Sequence, residues 1–301
     1  MPPAADVSST TTVENLALPA LPTSADPCVT PAAHRVGRVA AEYGFEFDGE
    51  VRPVGIRMLD PVPSQQTVWV VLHGAGLTWH EQLGFMDDVI DIIGDESATI
   101  IVPQASGQSP FWSASPTFNP DYVGELFRVL EQSICLDGGV VLAGTGQGTL
   151  AAAQAYCEAE LPIDALYFNL GMVKMEECAP AEAVPLFTLD VLEFVEGVGN
   201  HWDGSWDPPV QLEQALTGGI RSTPEDLSVW AELYGCADDA VEETSDVASE
   251  FSSRQTIKLS HRDCAAPIVA YGVPSAAFEQ PTLFGSALAG IRDELVAVLG
   301  P

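Results

Sequence analysis

Val140-Val141-Leu142-Ala143-Gly144-Thr145-Gly146-Gln147-Gly148-Thr149-Leu150, followed by an Ala-rich run to Cys157, is the stretch around which the chain is organised. The unbroken apolar run at its start predicts a strand buried on both faces. Three glycines at alternate positions predict a tight turn, because a residue without a β-carbon tolerates both unusual backbone angles and close neighbours. The Ala- and Leu-containing segment beyond predicts a helix.

Outward from this unit, the same alternation of buried strand and helix repeats. Thr67-Val68-Trp69-Val70-Val71-Leu72 is a second apolar run, ending in His73-Gly74-Ala75-Gly76, and helical spacing follows from Trp79 to Ile93. Thr99–Pro103, Ala165–Leu170 and Val184–Leu192 read as further strands. Asp121 to Gln132 is amphipathic, with Val123, Leu126, Phe127 and Leu130 on one face. Ser222-Thr223-Pro224-Glu225 is a helix N-terminal signal for the segment to Tyr234. Thr256–Leu259 and Ile268–Tyr271 read as late strands, and Phe284–Leu299 as a closing helix. The loose alternation from Glu42 to Leu59 predicts an antiparallel pair at a sheet edge. Residues 1–27, rich in Pro, Ala, Ser and Thr, predict a disordered lead-in, leaving 28–301 as one domain. The fold class expected is α/β, a mostly parallel sheet with helices on both faces.

The 301 residues include 43 Asp and Glu against 11 Lys and Arg, a formal net charge of −32. That sign repels nucleic acid and anionic membranes, so neither is expected as a partner. No apolar run approaches the roughly 18 residues that cross a bilayer. No D-x-[DN]-x-[DN]-G loop and no Cys/His cluster with zinc spacing is present, so neither a metal nor another cofactor is expected. Self-repulsion should strain the fold at low ionic strength. The thermal midpoint is therefore expected to rise with added NaCl, and an unchanged midpoint would refute this.

The six cysteines are Cys28, Cys135, Cys157, Cys178, Cys236 and Cys264. An even count suits disulfides, but buried thiols suit it equally, and spacing alone leaves both open. No basic n-region with an apolar h-region is visible at the start of the chain.

Several segments combine into a specific pattern: Leu72-His73-Gly74-Ala75-Gly76 after a core strand, and Cys135-Leu136-Asp137-Gly138-Gly139-Val140 leading into the glycine turn. Trp230-Ala231-Glu232-Leu233-Tyr234-Gly235-Cys236 and the cysteines at 157, 178 and 264 complete it. In these segments, from about Cys28 to Leu299, the chain resembles the secreted α/β-hydrolase esterases of the feruloyl-esterase and polyhydroxybutyrate-depolymerase type. The resemblance implies disulfides Cys157–Cys178 and Cys236–Cys264, leaving Cys28 and Cys135 to each other, and hence an extracellular or otherwise oxidising compartment. Each link would contribute about 2–4 kcal/mol. It also implies an oxyanion segment at His73, Gly74 and Ala75, completed by Gln147 beyond the turn.

The departures decide the functional expectation. Such esterases carry G-x-S-x-G at this turn, with a serine nucleophile deprotonated by histidine. Here position 146 is glycine, Glu196 takes the place of the acid, and Ser275 (or Pro274) stands at the histidine position. The resemblance thus implies an esterase scaffold that has lost catalysis. A cleft would remain, able to bind a small ester, carboxylate, phenolic or sugar ligand, with Trp112, His201 and Trp202 beside it.

Three other readings compete. An active carboxylesterase could use a displaced nucleophile such as Thr145 or Ser275, with His201 as base. A dinucleotide turn requires glycine where Thr149 stands, and Asp164 precedes its strand instead of closing it. An interaction protein could stack a sugar or phenolic ring on Phe111, Trp112, Trp202 or Trp206. The sequence leaves the oligomeric state open.

Overall fold

The computed structural model describes residues 18–29, 32, 34–35, 37–58, 66–93, 98–105, 112, 118–171, 178, 180, 182–192, 202, 222–237, 240–249, 252–274 and 281–299. In chain order these form β1 (Gly37–Phe47), β2 (Glu50–Met58), β3 (Val68–Leu72), α1 (Trp79–Ile93), β4 (Thr99–Pro103) and α2 (Phe118–Leu130). Then come β5 (Val140–Thr145), α3 (Gln147–Glu158), β6 (Ala165–Asn169), β7 (Leu186–Val191) and α4 (Thr223–Leu233). The last elements are β8 (Val241–Ser249), β9 (Ser252–His261), β10 (Ile268–Val273) and α5 (Pro281–Leu299).

The ten strands make one sheet in the order β1-β2-β4-β3-β5-β6-β7-β10-β9-β8. From β4 through β10 neighbours run parallel, and an antiparallel hairpin is added at each edge. This is an α/β-hydrolase-like topology. The apolar runs at β3, β5 and β6 are buried at every residue because helices cover both faces. Leu142, Leu166, Phe168 and Ile268 face α2, α3 and α4, against Leu126, Ala152 and Trp230. Their sequence neighbours Val141, Tyr167 and Val269 face α1 and α5, against Met86, Ile90 and Ile291.

The cross-links are Cys28–Cys135, Cys157–Cys178 and Cys236–Cys264, the pairs that the resemblance implies. They indicate an oxidising environment. Among the described residues, no helix is long and apolar enough to cross a membrane.

Three details differ from the sequence expectation. Order begins before Cys28: Leu21 is in the core, Gly44 N donates to Pro19 O at 2.8 Å, and Ser24 N to Gln132 O at 2.7 Å. Burying one apolar residue and pairing with an edge strand offsets the ordering of a few residues. β8, with the acidic sequence VEETSDVAS, has no apolar alternation and forms a strand through pairing with β9 along its length. β9 runs on past the expected Thr256–Leu259 and ends at His261, which is buried.

Candidate functional site

β5 ends at Thr145, and the chain turns into α3 through Gly146 alone, at φ 52° and ψ −116°. Side-chain-bearing residues rarely adopt these angles. Gly146 N donates to Asn169 O at 2.9 Å, and Gly146 O accepts from Thr149 N at 3.0 Å and Thr149 Oγ1 at 2.7 Å. The other two glycines serve packing: a β-carbon at Gly148 would overlap the Leu72 carbonyl, and one at Gly144 would overlap the backbone of Gly148. At Gly146 a β-carbon would have room, 3.9 Å from both Gly74 Cα and Leu170 O. The restriction there is conformational.

Gly74 thus lies against the turn, and the structure brings His73, Gly74, Ala75, Gly146 and Gln147 together. Among the described residues, the backbone N–H groups of Ala75 and Gln147 have no partner, and Gly146 offers no side-chain cap. Gln147 is the first residue of α3, where the helix dipole adds positive potential. Backbone donors of this kind at a helix N-terminus can hold an oxygen that carries partial or full negative charge.

The side chains around these donors are bonded to one another. The fully buried His73 ring lies with Nδ1 2.9 Å from Gly74 O and Nε2 3.0 Å from Ala105 N. Because Ala105 N–H can only donate, Nε2 is the acceptor and Nδ1–H donates to Gly74 O. Burial pushes the His73 pKa below its ordinary value. The ring is neutral, its lone pair is committed, and it supports the loop. Gln82 of α1 accepts from Gly74 N at 3.3 Å and donates to Thr145 Oγ1 at 3.0 Å.

Trp112 is 3% exposed. Its indole Nε1–H donates to His73 O at 2.8 Å, and its ring packs against His73 and Tyr122. Its backbone is clasped by the Gln147 side chain: Trp112 N–H donates to Oε1, and Nε2 donates to Trp112 O, both at 3.1 Å. The ring therefore faces the interior.

Glu196, His201 and Ser275 lie outside the described residues, as do Phe111 and Trp206. Trp202 is half-buried and its ring packs on Gly272 of β10. Asp190, which sequence reasoning missed, is a fully buried carboxylate near the end of β7, in register with Gly272, and accepts from Thr223 Oγ1 at 2.7 Å. Thr223 opens α4 behind a capping box of Ser222 and Glu225. A lone acid inside an apolar run was the available signal, since a buried carboxylate requires a bonded partner. A cavity of about 890 Å³ beside Cys28, Gly139 and Ile163 lies near the starts of β5 and β6, at the opposite end of the sheet.

No family model matches the chain, and no curated protein matches it. Solved structures that it resembles include a thermostable esterase, at 12% identity and a TM-score of 0.47 over 85% of this chain and 62% of that one. Est1E from Butyrivibrio proteoclasticus is similar at 11% identity and a TM-score of 0.44 over 85% of this chain and 99% of that one. An enantioselective mutant of the Aspergillus niger epoxide hydrolase is similar at 14% identity and a TM-score of 0.33, covering 46% of this chain and 37% of the hydrolase. The chain thus spans less than two thirds of the epoxide hydrolase and of the thermostable esterase. These likenesses assign a role to no residue.

Proposed function

We propose that the chain is a relative of secreted carboxylic ester hydrolases, of the feruloyl-esterase and polyhydroxybutyrate-depolymerase type, that has lost catalysis and keeps its donor pocket as a binding site. The observation that supports this most directly is Gly146: the turn has the backbone of a nucleophile elbow and carries no atom that could be acylated. Without a nucleophile no tetrahedral intermediate forms, so the several kcal/mol that such donors give a transition state has no outlet. The N–H groups of Ala75 and Gln147 can still bind a ground-state oxygen. Each bond contributes about 1 kcal/mol to a neutral carbonyl and about 1.5–3 kcal/mol to a carboxylate. A small carboxylate or carbonyl compound, phenolic or sugar-linked, is the ligand class that follows. The net charge of −32 opposes an approaching anion, so carboxylate binding strengthens as salt screens the surface.

The test is hydrolysis of p-nitrophenyl acetate and methyl ferulate at low and high salt, with a Gly146→Ala variant alongside and saturation binding of ferulate measured by NMR. The expected result is no turnover above the variant, with saturable binding to the natural chain. Turnover that survives Gly146→Ala but falls in His201→Ala or Ser275→Ala would overturn the reading and place an active centre elsewhere.

A further inference from the structure

Gly146 is flanked by two residues that are each tied to the donor loop, from opposite layers of the fold. Thr145 is tied through Gln82 of α1 to Gly74 N. Gln147 is tied through Trp112, which packs with the α2 layer, to His73 O. The His73–Gly74 peptide is therefore gripped at both ends, its carbonyl by the Trp112 indole and its N–H by the Gln82 amide. A trans peptide is planar, so fixing its two ends fixes its plane. The next peptide is held the same way: Gly74 O accepts from His73 Nδ1 at 2.9 Å and from Leu77 N at 3.2 Å. The Ala75 N–H points away from that carbonyl.

We infer that Gln147 and Trp112 are positioning residues, a brace that sets where the Ala75 N–H stands relative to the N–H of Gln147. The use of that geometry rests on the binding reading above; the brace itself does not. Gln147 serves twice, once through its backbone donor and once through its side chain. The side-chain amide reads both the N–H and the C=O of Trp112, 35 residues away, as a neighbouring strand would. Two bonds fix the orientation of Trp112 as one could not, and the indole then carries that orientation to His73 O. A buried polar network of this kind gives a defined geometry when every member is bonded. Preorganised donors lose less entropy when an oxygen arrives.

The experiment compares the natural chain with Gln147→Met, Gln147→Glu and Trp112→Phe by amide-resolved NMR and ferulate titration. Gln147→Met removes both clasp bonds at similar side-chain length, and Trp112→Phe removes only the indole donor. Both are expected to shift or broaden the Ala75 amide signal and to weaken ferulate binding about tenfold. Gln147→Glu keeps the acceptor for Trp112 N–H and is expected to restore part of both. Should Gln147→Met fail to fold, the milder Trp112→Phe carries the same readout. An Ala75 signal unmoved in folded Trp112→Phe overturns the inference. If ferulate binds none of the proteins while the Ala75 signal still responds, the brace stands and the binding reading falls.

Discussion

On the β3–β5 side of the elbow, the polar side chains under the turn are joined: Gln82 to Gly74 and Thr145, His73 to Gly74 and Ala105, and Gln147 to Trp112. On the β6–β7–β10 side the pattern changes. Among the described residues, neither amide atom of Asn169, which is 1% exposed, has a partner, nor does the buried Thr188 hydroxyl. The first side is built from backbone groups and residues close to regular elements, so the fold itself completes it. The sequence beyond β7 and β10 holds Glu196 and Ser275, the residues that the resemblance to esterases would align with an acid and a base. Backbone donors come with this architecture, whereas the reacting side chains must be supplied by its loops.

The sharpest way to break the first side is to crowd it. Gly148→Ala places a methyl group on the Leu72 carbonyl, and a loss of about 3 kcal/mol or more is expected in denaturant unfolding. A loss under about 1 kcal/mol would mean that α3 does not sit against β3 as described. Gln82→Leu strands the Gly74 N–H and the Thr145 hydroxyl and should cost about 2–3 kcal/mol by the same measurement. Gly146→Ala is expected to cost about 1–2 kcal/mol, since only the left-handed backbone resists a side chain there. If Gly146→Ala proves as damaging as Gly148→Ala, the space beside Gly74 is not open.

A smaller effect is expected from pH. Burial holds His34, His73 and His261 below the ordinary imidazole value of 6.5. The unfolded chain then binds protons at a higher pH than the folded one. Stability should fall as pH drops below 6.5 and level off beneath the native pKa values. A flat thermal midpoint between pH 7 and 5 would show that these rings are not protected from protonation. On the second side, Asn169→Leu removes an amide without a partner among the described residues, so stability should stay within about 0.5 kcal/mol or rise. A loss near that of Gln82→Leu would erase the contrast between the two sides.

How much of this the sequence disclosed follows from which residues carried a local signal. β3, β5 and β6 were legible because burial on both faces leaves unbroken apolar runs, and α4 because its capping box is a local motif. β8 was not, since its pairing with β9 gives an acidic segment its conformation. The glycine turn was visible, but its division of labour was not: Gly144 and Gly148 answer to neighbours distant in sequence, Gly146 to its own angles. Trp112 reads as a cleft aromatic beside Phe111, and only the folded chain shows its indole turned inward to His73. Asp190 stands out as a lone acid in the run of β7, but its partner Thr223 is 33 residues away and carries no local signal of the contact.

The three cross-links also bear on how the chain is made. Their cysteines are separated by 107, 21 and 28 residues, and each pairs with the next cysteine to appear in the sequence. At about 5–20 residues per second, Cys28 waits roughly 5–20 s for Cys135, and no other cysteine stands between the two in the sequence. If each bond closes before the next cysteine emerges, every intermediate already holds only correct links. Interleaved pairs would require reshuffling by thiol exchange. This order requires an oxidant alone.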